Sequence, residues 1–412
     1  MGKRILLVAQ NFYPEFFKSN DIASEMVKRG HCVDVLTGIP NYPEGVFPNG
    51  YGVFKKRIDN YKGAKVYRAF QIPRGRKASG IRLAINYLSF AFTSTFWVLF
   101  FFLFKKKYDA IIIHQTSPVT QSLPGILLGK LKRIPIYTWV LDIWPDAMRS
   151  GGNVKNETII GLIDSFTQWV YRNSHKILIS SKDFRELINR KANYNNKITH
   201  FPNWCDDMKA MPLLEIPPLP KGFKIMMAGN LGTAQDIRTV MNAVILLKDN
   251  HSIQWIFVGD GSEKAYIEEY ISNNNIANVT LTGRRPFNEM PAYFKEADAM
   301  LLTLRAEYPH LKAVVPARLQ SYMSAGKAIL GMVDGGSCTV IKECECGLCA
   351  EAGDYQSLAK NILTLSSNNE AKIMMGKNAR RYYEEYFTTD ICISNLERII
   401  CSNGTKETKH NV

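Results

Sequence analysis

The feature that most constrains this chain is an alternation of short apolar runs with helical segments that stops and then starts again. Arg4–Ala9 reads as a buried strand, Ser19–Arg29 as a helix with Gly30 just past its end, and Cys32–Thr37 as the next strand. Lys65–Arg68, Asp109–His114, Ile136–Leu141 and Lys176–Ser180 continue the strands, with a helix from about Ser117 to Lys130. Met211–Lys221, holding Pro212, Pro217, Pro218 and Pro220, breaks the series. Lys224–Ala228 then opens a second one, followed by Ile253–Val258, Val279–Thr282, Ala299–Leu304, a helix over Ala317–Ala325, and Ala328–Met332. Strands separated by helices build parallel, doubly wound sheets. The pattern therefore predicts an α/β chain of two Rossmann-like domains, 1–204 and 205–385. A C-terminal helix over 386–402 is expected to return toward the first domain, and 403–412 reads as a polar tail. In open sheets of this type ligands sit at the carboxyl ends of the strands, so two such domains are expected to face a ligand across a cleft.

Composition narrows the partners. The chain has 412 residues, 46% hydrophobic, which excludes disorder and disulfide-stapled miniproteins. Its net charge of +15 is one-sided: residues 1–204 hold 30 Lys+Arg against 13 Asp+Glu, and residues 205–412 hold 22 against 24. A one-sided basic surplus points to an anionic partner, either nucleic acid or a membrane surface. No nucleic-acid-binding motif is present, which disfavours the first. The cysteines Cys338, Cys344, Cys346 and Cys349 cluster, but C-x-C-x2-C lacks the second ligand pair of a zinc ribbon. No metal is expected there, and free thiols of a reducing cytosol are. The apolar run at the N-terminus is too short for a signal peptide and fits a first strand.

Leu83–Phe104 is the one long apolar segment, flanked by Arg74, Arg76, Lys77, Arg82 and Lys105–Lys107. Its length would allow a span. However, Asn86, Ser89 and Thr93 form a polar stripe at helical spacing, and the strands on either side belong to one predicted sheet. A helix lying in the membrane interface beside basic residues fits better; a core helix of a large domain is the other reading.

Two sets of residues carry chemistry on their own terms. Gly229–Ala234 lies between a strand and a helix, where backbone N–H groups can cradle phosphate, or simply form a tight turn. Gly259-Asp260-Gly261 ends the next strand. In the first half, Asp142 follows a strand, where a carboxylate on its own terms caps a helix or turn. His114 also follows a strand, where a lone histidine is more often structural.

With these in place, the chain resembles the retaining glycosyltransferases of family 4, with the GT-B fold, and among them the WbuB-like bacterial enzymes of surface-polysaccharide synthesis. The carriers are NFYPE (Asn11–Glu15), KRGHCVDVLTGIPNYPEG (Lys28–Gly45), LDIWPDA (Leu141–Ala147), FPNWCDD (Phe201–Asp207), AGNLGTAQD (Ala228–Asp236), FVGDG (Phe257–Gly261), VTLTGRRP (Val279–Pro286), VPARLQSYMSAGK (Val315–Lys327) and CGL (Cys346–Leu348). No block is specific alone; their order and spacing are.

The resemblance implies transfer of a sugar from a nucleotide-diphosphate sugar to a lipid-linked glycan. Retention, no metal or cofactor, and a place at the inner face of the cytoplasmic membrane go with it. Gly229, Asn230, Gly232, Thr233, Gln235, Gly259, Gly261, Arg284, Pro316, Ser321 and Tyr322 are the implied donor contacts. Arg318 and Asp142 are the implied catalytic groups, with Arg305 and Lys312 as secondary cations. Glu15, Asn41, Tyr42 and His114 are the implied acceptor contacts. Two departures stand out. Asn230 and Gln235 replace the family's basic pair, and Ala313 and Ser321 replace its two glutamates. A non-catalytic sugar-nucleotide scaffold and an epimerase are the competing readings.

Overall fold

The computed structural model describes residues 2–402 apart from 77, 78, 152, 153 and 155, so Lys77 and the 403–412 tail lie outside the described residues. The chain divides into two compact units: Met1–Ser180 with Phe184–Phe201 and the chain from Ile393 on, and Ser181–Asp183 with Pro202–Cys392.

The first unit is built on an eight-stranded sheet. Its strands are β1 (Arg4–Val8), β2 (Cys32–Gly38), β3 (Ile58–Tyr61), β4 (Ala64–Ala69), β5 (Ala110–Gln115), β6 (Ile136–Val140), β7 (Lys176–Ile179) and β8 (Ile198–His200), in the order β3-β4-β2-β1-β5-β6-β7-β8. All pairings are parallel except β3 with β4, which form an edge hairpin. The central strands are buried along their length, as a sheet covered on both faces requires. The last helix, Thr389–Cys401, gives its residues from Ile393 on to this unit, where Glu397 accepts from Arg29 at 3.1 Å and lies 3.0 Å from His31.

The helix Gly80–Phe100 connects β4 to β5, burying a polar stripe beside Phe90, Ala91 and Val98 and leaving a second apolar stripe outside. Asn86, Ser89 and Thr93 face the sheet: Asn86 donates to the Ile72 carbonyl and accepts from Gln10, Ser89 accepts from the Ile72 amide, and Thr93 donates to the Phe70 carbonyl. Ile81, Ile85, Leu88, Phe92, Phe96, Leu99 and Phe100 recur at helical spacing on the opposite side, all exposed. The rings of Phe92, Phe96 and Phe100 pack on one another along it. By length and composition this segment passes for a membrane span. Yet β4 and β5, at its two ends, belong to one sheet, which a bilayer crossing between them would separate.

The second unit carries a six-stranded parallel sheet. Its strands are β9 (Phe223–Ala228), β10 (Ile253–Val258), β11 (Val279–Gly283), β12 (Ala299–Thr303), β13 (Ala328–Met332) and β14 (Gly347–Ala350), in the order β11-β10-β9-β12-β13-β14. Alternate residues feed two cores. Met226, Ile256, Met300 and Leu302 pack on one face with Leu319 and Tyr322, while Ile225, Met227, Trp255 and Leu301 pack on the other with Val240 and Leu358. The order reverses between β9 and β12, which puts the topological switch point beside the loop after β9. All eight cysteines are free.

Candidate functional site

The loops leaving β9 and β10 interlock through their backbones. The Gly229 amide donates to the Val258 carbonyl, Leu231 to Asp260, and Gly259 to Gly283. Such close approach demands glycine. A Cβ on Gly259, at φ +152°, would stand 1.9 Å from the Gly229 carbonyl oxygen, and one on Gly261 would stand 2.4 Å from that of Leu231. Beside these loops lies a pocket of about 380 Å3, lined by Gly229, Asn230, Gly259, Asp260, Arg284 and Arg285 among others. That is within the size range of small-molecule sites.

Inside the first loop, Asn230 and Gln235 have turned toward each other. The Gln235 Oε1 accepts from the Gly232 amide at 3.1 Å and from Asn230 Nδ2 at 3.3 Å. Gly232 therefore spends its amide within the loop and does not offer it to phosphate. The Thr233 amide, at the open start of the next turn, has no such bond among the described residues.

Positive charge reaches this loop from the helix Ala317–Ser324, which Pro316 opens. Arg318 Nη2 donates to the Asn230 carbonyl at 3.1 Å, and Nη1 is buried without a hydrogen-bond partner among the described residues. Two secondary cations are already committed: Arg305 pairs with Glu307 and Lys312 with Asp334. Tyr322 departs from the expected donor contact. It is fully buried, and its hydroxyl donates to the Ala228 carbonyl and accepts the Ala228 amide. It holds the end of β9, from which the loop springs, and burial raises its hydroxyl pKa. Ser321, one turn after Arg318, donates to the Ala317 carbonyl. Ala313 is buried, and with alanine and serine there no carboxylate stands at either of the two positions.

In the first unit the four expected acceptor contacts separate into two kinds. Glu15 is buried and fully engaged: its Oε1 accepts the amides of Asn41 and Tyr42, each at 2.6 Å, and its Oε2 accepts from Asn11 at 2.8 Å. Burial raises its pKa against those three donors. Asn41 is 1% exposed, accepting from the Arg74 amide and donating to the Ile39 carbonyl. His114 is 2% exposed, packed on Trp139, and burial lowers its pKa to about 3. Glu15, Asn41 and His114 are thus scaffold groups as they stand, because no free polar face of theirs reaches solvent. Tyr42 is the exception: exposed, with the Arg74 guanidinium 5.1 Å from its ring centre. Asp142 stands partly open at the end of β6. Its Oδ2 accepts from Ser117 at 2.7 Å, and Gln115 fixes its carbonyl. One carboxylate oxygen thus stays clear of that bond.

Comparison with known proteins decides what this arrangement is. The family described as "Glycosyl transferase 4-like domain" matches residues 19–204, and "Glycosyl transferases group 1" matches 215–382. The chain belongs to the family 4-type glycosyltransferases, with the GT-B fold. WcaI of Escherichia coli K12, named for colanic acid biosynthesis, is 24% identical over 78% of this chain and 81% of its own. Anabaena Alr3699/HepE, solved with UDP-glucose, superposes with a TM-score of 0.65 at 15% identity, covering 97% of this chain and 100% of that one. WaaG, a glycosyltransferase involved in lipopolysaccharide biosynthesis, gives a TM-score of 0.65 at 13% identity over 96% and 99%.

Within this transferase, sequence reasoning missed Arg285 and Met290 in the pocket wall, and named Asp260 only as the residue between two glycines. The signal for Arg285 was present, since it directly follows Arg284 past the end of β11. Both adjacent cations line the pocket, and the turn fixes the second, whose Nε donates to the Thr282 carbonyl.

Proposed function

We propose that this glycosyltransferase moves a hexosyl or N-acetyl(deoxy)hexosaminyl unit from a nucleotide-diphosphate sugar to a lipid-linked glycan. The transfer retains anomeric configuration and serves O-antigen, capsule or exopolysaccharide biosynthesis. The observation that carries this reading is the glycine-built pocket at the carboxyl ends of β9, β10 and β11, with Arg318 Nη1 buried beside it and without a hydrogen-bond partner among the described residues. The relatives named for colanic acid and lipopolysaccharide biosynthesis, and the neighbour solved with UDP-glucose, support it.

In this reading the Thr233 amide and the guanidinium groups of Arg318, Arg284 and Arg285 meet the diphosphate. Fixed donors aimed at charge that grows on the leaving group lower the barrier without reorganising. No resident metal is needed, because these cations supply the compensating charge. Asp142 orients the acceptor hydroxyl and Tyr42 offers it a ring face. Positioning then carries much of the rate.

The acceptor's lipid places the enzyme at the inner face of the cytoplasmic membrane. The helix Gly80–Phe100 supports this: its exposed apolar stripe would enter the interface while the exposed Arg76, Arg82, Lys106 and Lys107 meet anionic headgroups. Each large side chain so buried is worth roughly 1.5–3 kcal/mol, and each nearby cation about 1 kcal/mol. The test is a panel of nucleotide sugars offered with membranes carrying lipid-linked glycans, read by mass spectrometry and by the anomeric signal of the product. One donor is expected to turn over with retention. Absence of both turnover and binding across the panel would sink the reading.

A further inference from the structure

A pocket of about 390 Å3 lies at the opposite pole of the second unit's sheet. Asp298 directly precedes β12 and Lys327 directly precedes β13, so this pocket sits at amino ends, while the glycine loops leave carboxyl ends. At about 3.3 Å per residue, a five-residue strand puts roughly 16 Å between the two poles.

Its wall is cationic. Lys209, Lys327, Lys372, Lys377, Arg380 and Arg381 line it against two acids, Asp298 and Glu384. Some of that charge is compensated. Lys372 lies 2.7 Å from Asp298, and Arg380 bridges Asp207 and Glu384. Lys327 is tethered by the carbonyls of Lys295 and Ala297, at 2.8 and 2.7 Å. Lys209, Lys377 and Arg381 have no ion pair among the described residues. This concentration occurs in a half of the chain whose overall balance is two acids in excess.

The packing that gathers these groups is tight. A Cβ on Gly376 would stand 2.5 Å from the Gly326 carbonyl oxygen, and one on Gly326, at φ +66°, would stand 2.7 Å from Lys209 Nζ. Two glycines thus let the helix Asn369–Tyr386 close on the strand entrance and bring its basic face to Lys209 and Lys327. Unpaired like charges held together repel unless an anion joins them, and Lys and Arg at several angles suit the many oxygens of phosphate.

We propose that this pocket is a second anion site of the enzyme, taking a phosphate or diphosphate group and distinct from the donor pocket. The phosphate has two sources, a free anion or a lipid headgroup, and the test separates them. It uses the full chain carrying Arg318→Ala, which removes the guanidinium from the donor loop. Onto it go Lys377→Ala/Arg381→Ala, both exposed positions, or the charge-keeping Lys377→Arg/Arg381→Lys. Calorimetric titration with inorganic diphosphate is expected to lose at least tenfold in affinity with the alanine pair and to stay within twofold with the charge-keeping pair. That result assigns a free anion. Unchanged diphosphate binding with a tenfold drop in partition onto phosphatidylglycerol vesicles, and none onto phosphatidylcholine vesicles, assigns a headgroup. Unchanged diphosphate affinity together with unchanged vesicle partition overturns the proposal.

Discussion

The loop after β1 in the first unit and the loop after β9 in the second occupy the same place in two similar folds, and they are built by opposite means. The second meets its neighbouring loop through backbone, with glycines at distances that any side chain would block, and Gln235 and Arg318 brace it. The first is held by side chains. Glu15 ties Asn41, Tyr42 and Asn11; Asn20 donates to the Glu15 carbonyl and accepts the Tyr13 amide; Arg68 donates to the Tyr13 carbonyl. A backbone-built loop leaves an open pocket and room for phosphate. A side-chain-built loop is rigid and filled, and it offers the outside only what projects from it, such as Tyr42.

The largest effect expected from breaking this contrast is at Gly259. Gly259→Ala places a methyl group against the Gly229 carbonyl, so transfer should fall below detection while circular dichroism keeps the α/β signature. Next is Arg318→Ala. It removes a fixed donor at the leaving diphosphate and should cost about 10²–10³ in kcat, with Arg318→Lys recovering part of it. On the other loop, Glu15→Ala strips a buried acceptor from three donors. It should lower the stability of the first unit by about 2–4 kcal/mol in urea unfolding, yet leave nucleotide affinity of the second unit unchanged.

A smaller effect concerns pH. His114 is held neutral by burial, with its pKa lowered to about 3, while the unfolded chain protonates near the ordinary value of 6.5. Below that value the unfolded state binds a proton that the folded state refuses, so this contribution to stability is lost as pH falls from about 6.5 toward about 3. His114→Leu should flatten that part of the stability profile. The smallest effect on stability is at the helix Gly80–Phe100. Phe92→Ser/Phe96→Ser should leave the melting temperature within a few degrees and weaken partition onto anionic vesicles by at least tenfold.

The same contrast explains what the sequence shows and what it hides. Strands buried on both faces, such as Ile111–Ile113 in β5, are legible as apolar runs. The edge strand Ile58–Tyr61 reads IDNY and half faces water, and β8 is three residues long, so neither presents a run. β14 starts on Gly347, whose lack of a side chain lets it sit against the Ile329 carbonyl. The glycine loops were legible because glycine at a strand end has few other uses. The other site residues were harder to place. A polar residue near a strand end looks the same whether it reaches outward, as Tyr42 does, or inward, as Glu15 and Asn41 do. Tyr322 stood among the donor candidates, but its hydroxyl turns to the strand end instead. Only the three-dimensional partner, Ala228 for Tyr322 and the 41–42 amides for Glu15, distinguishes a contact from a brace.

The central claim is that the second unit's glycine loops and Arg318 hold the diphosphate of the donor. It is tested most directly by calorimetric titration of nucleoside diphosphates into the wild-type chain and Arg318→Ala. The account predicts that at least one nucleoside diphosphate binds the wild type, and that Arg318→Ala weakens it by tenfold or more. Equal affinity in the two proteins would contradict it.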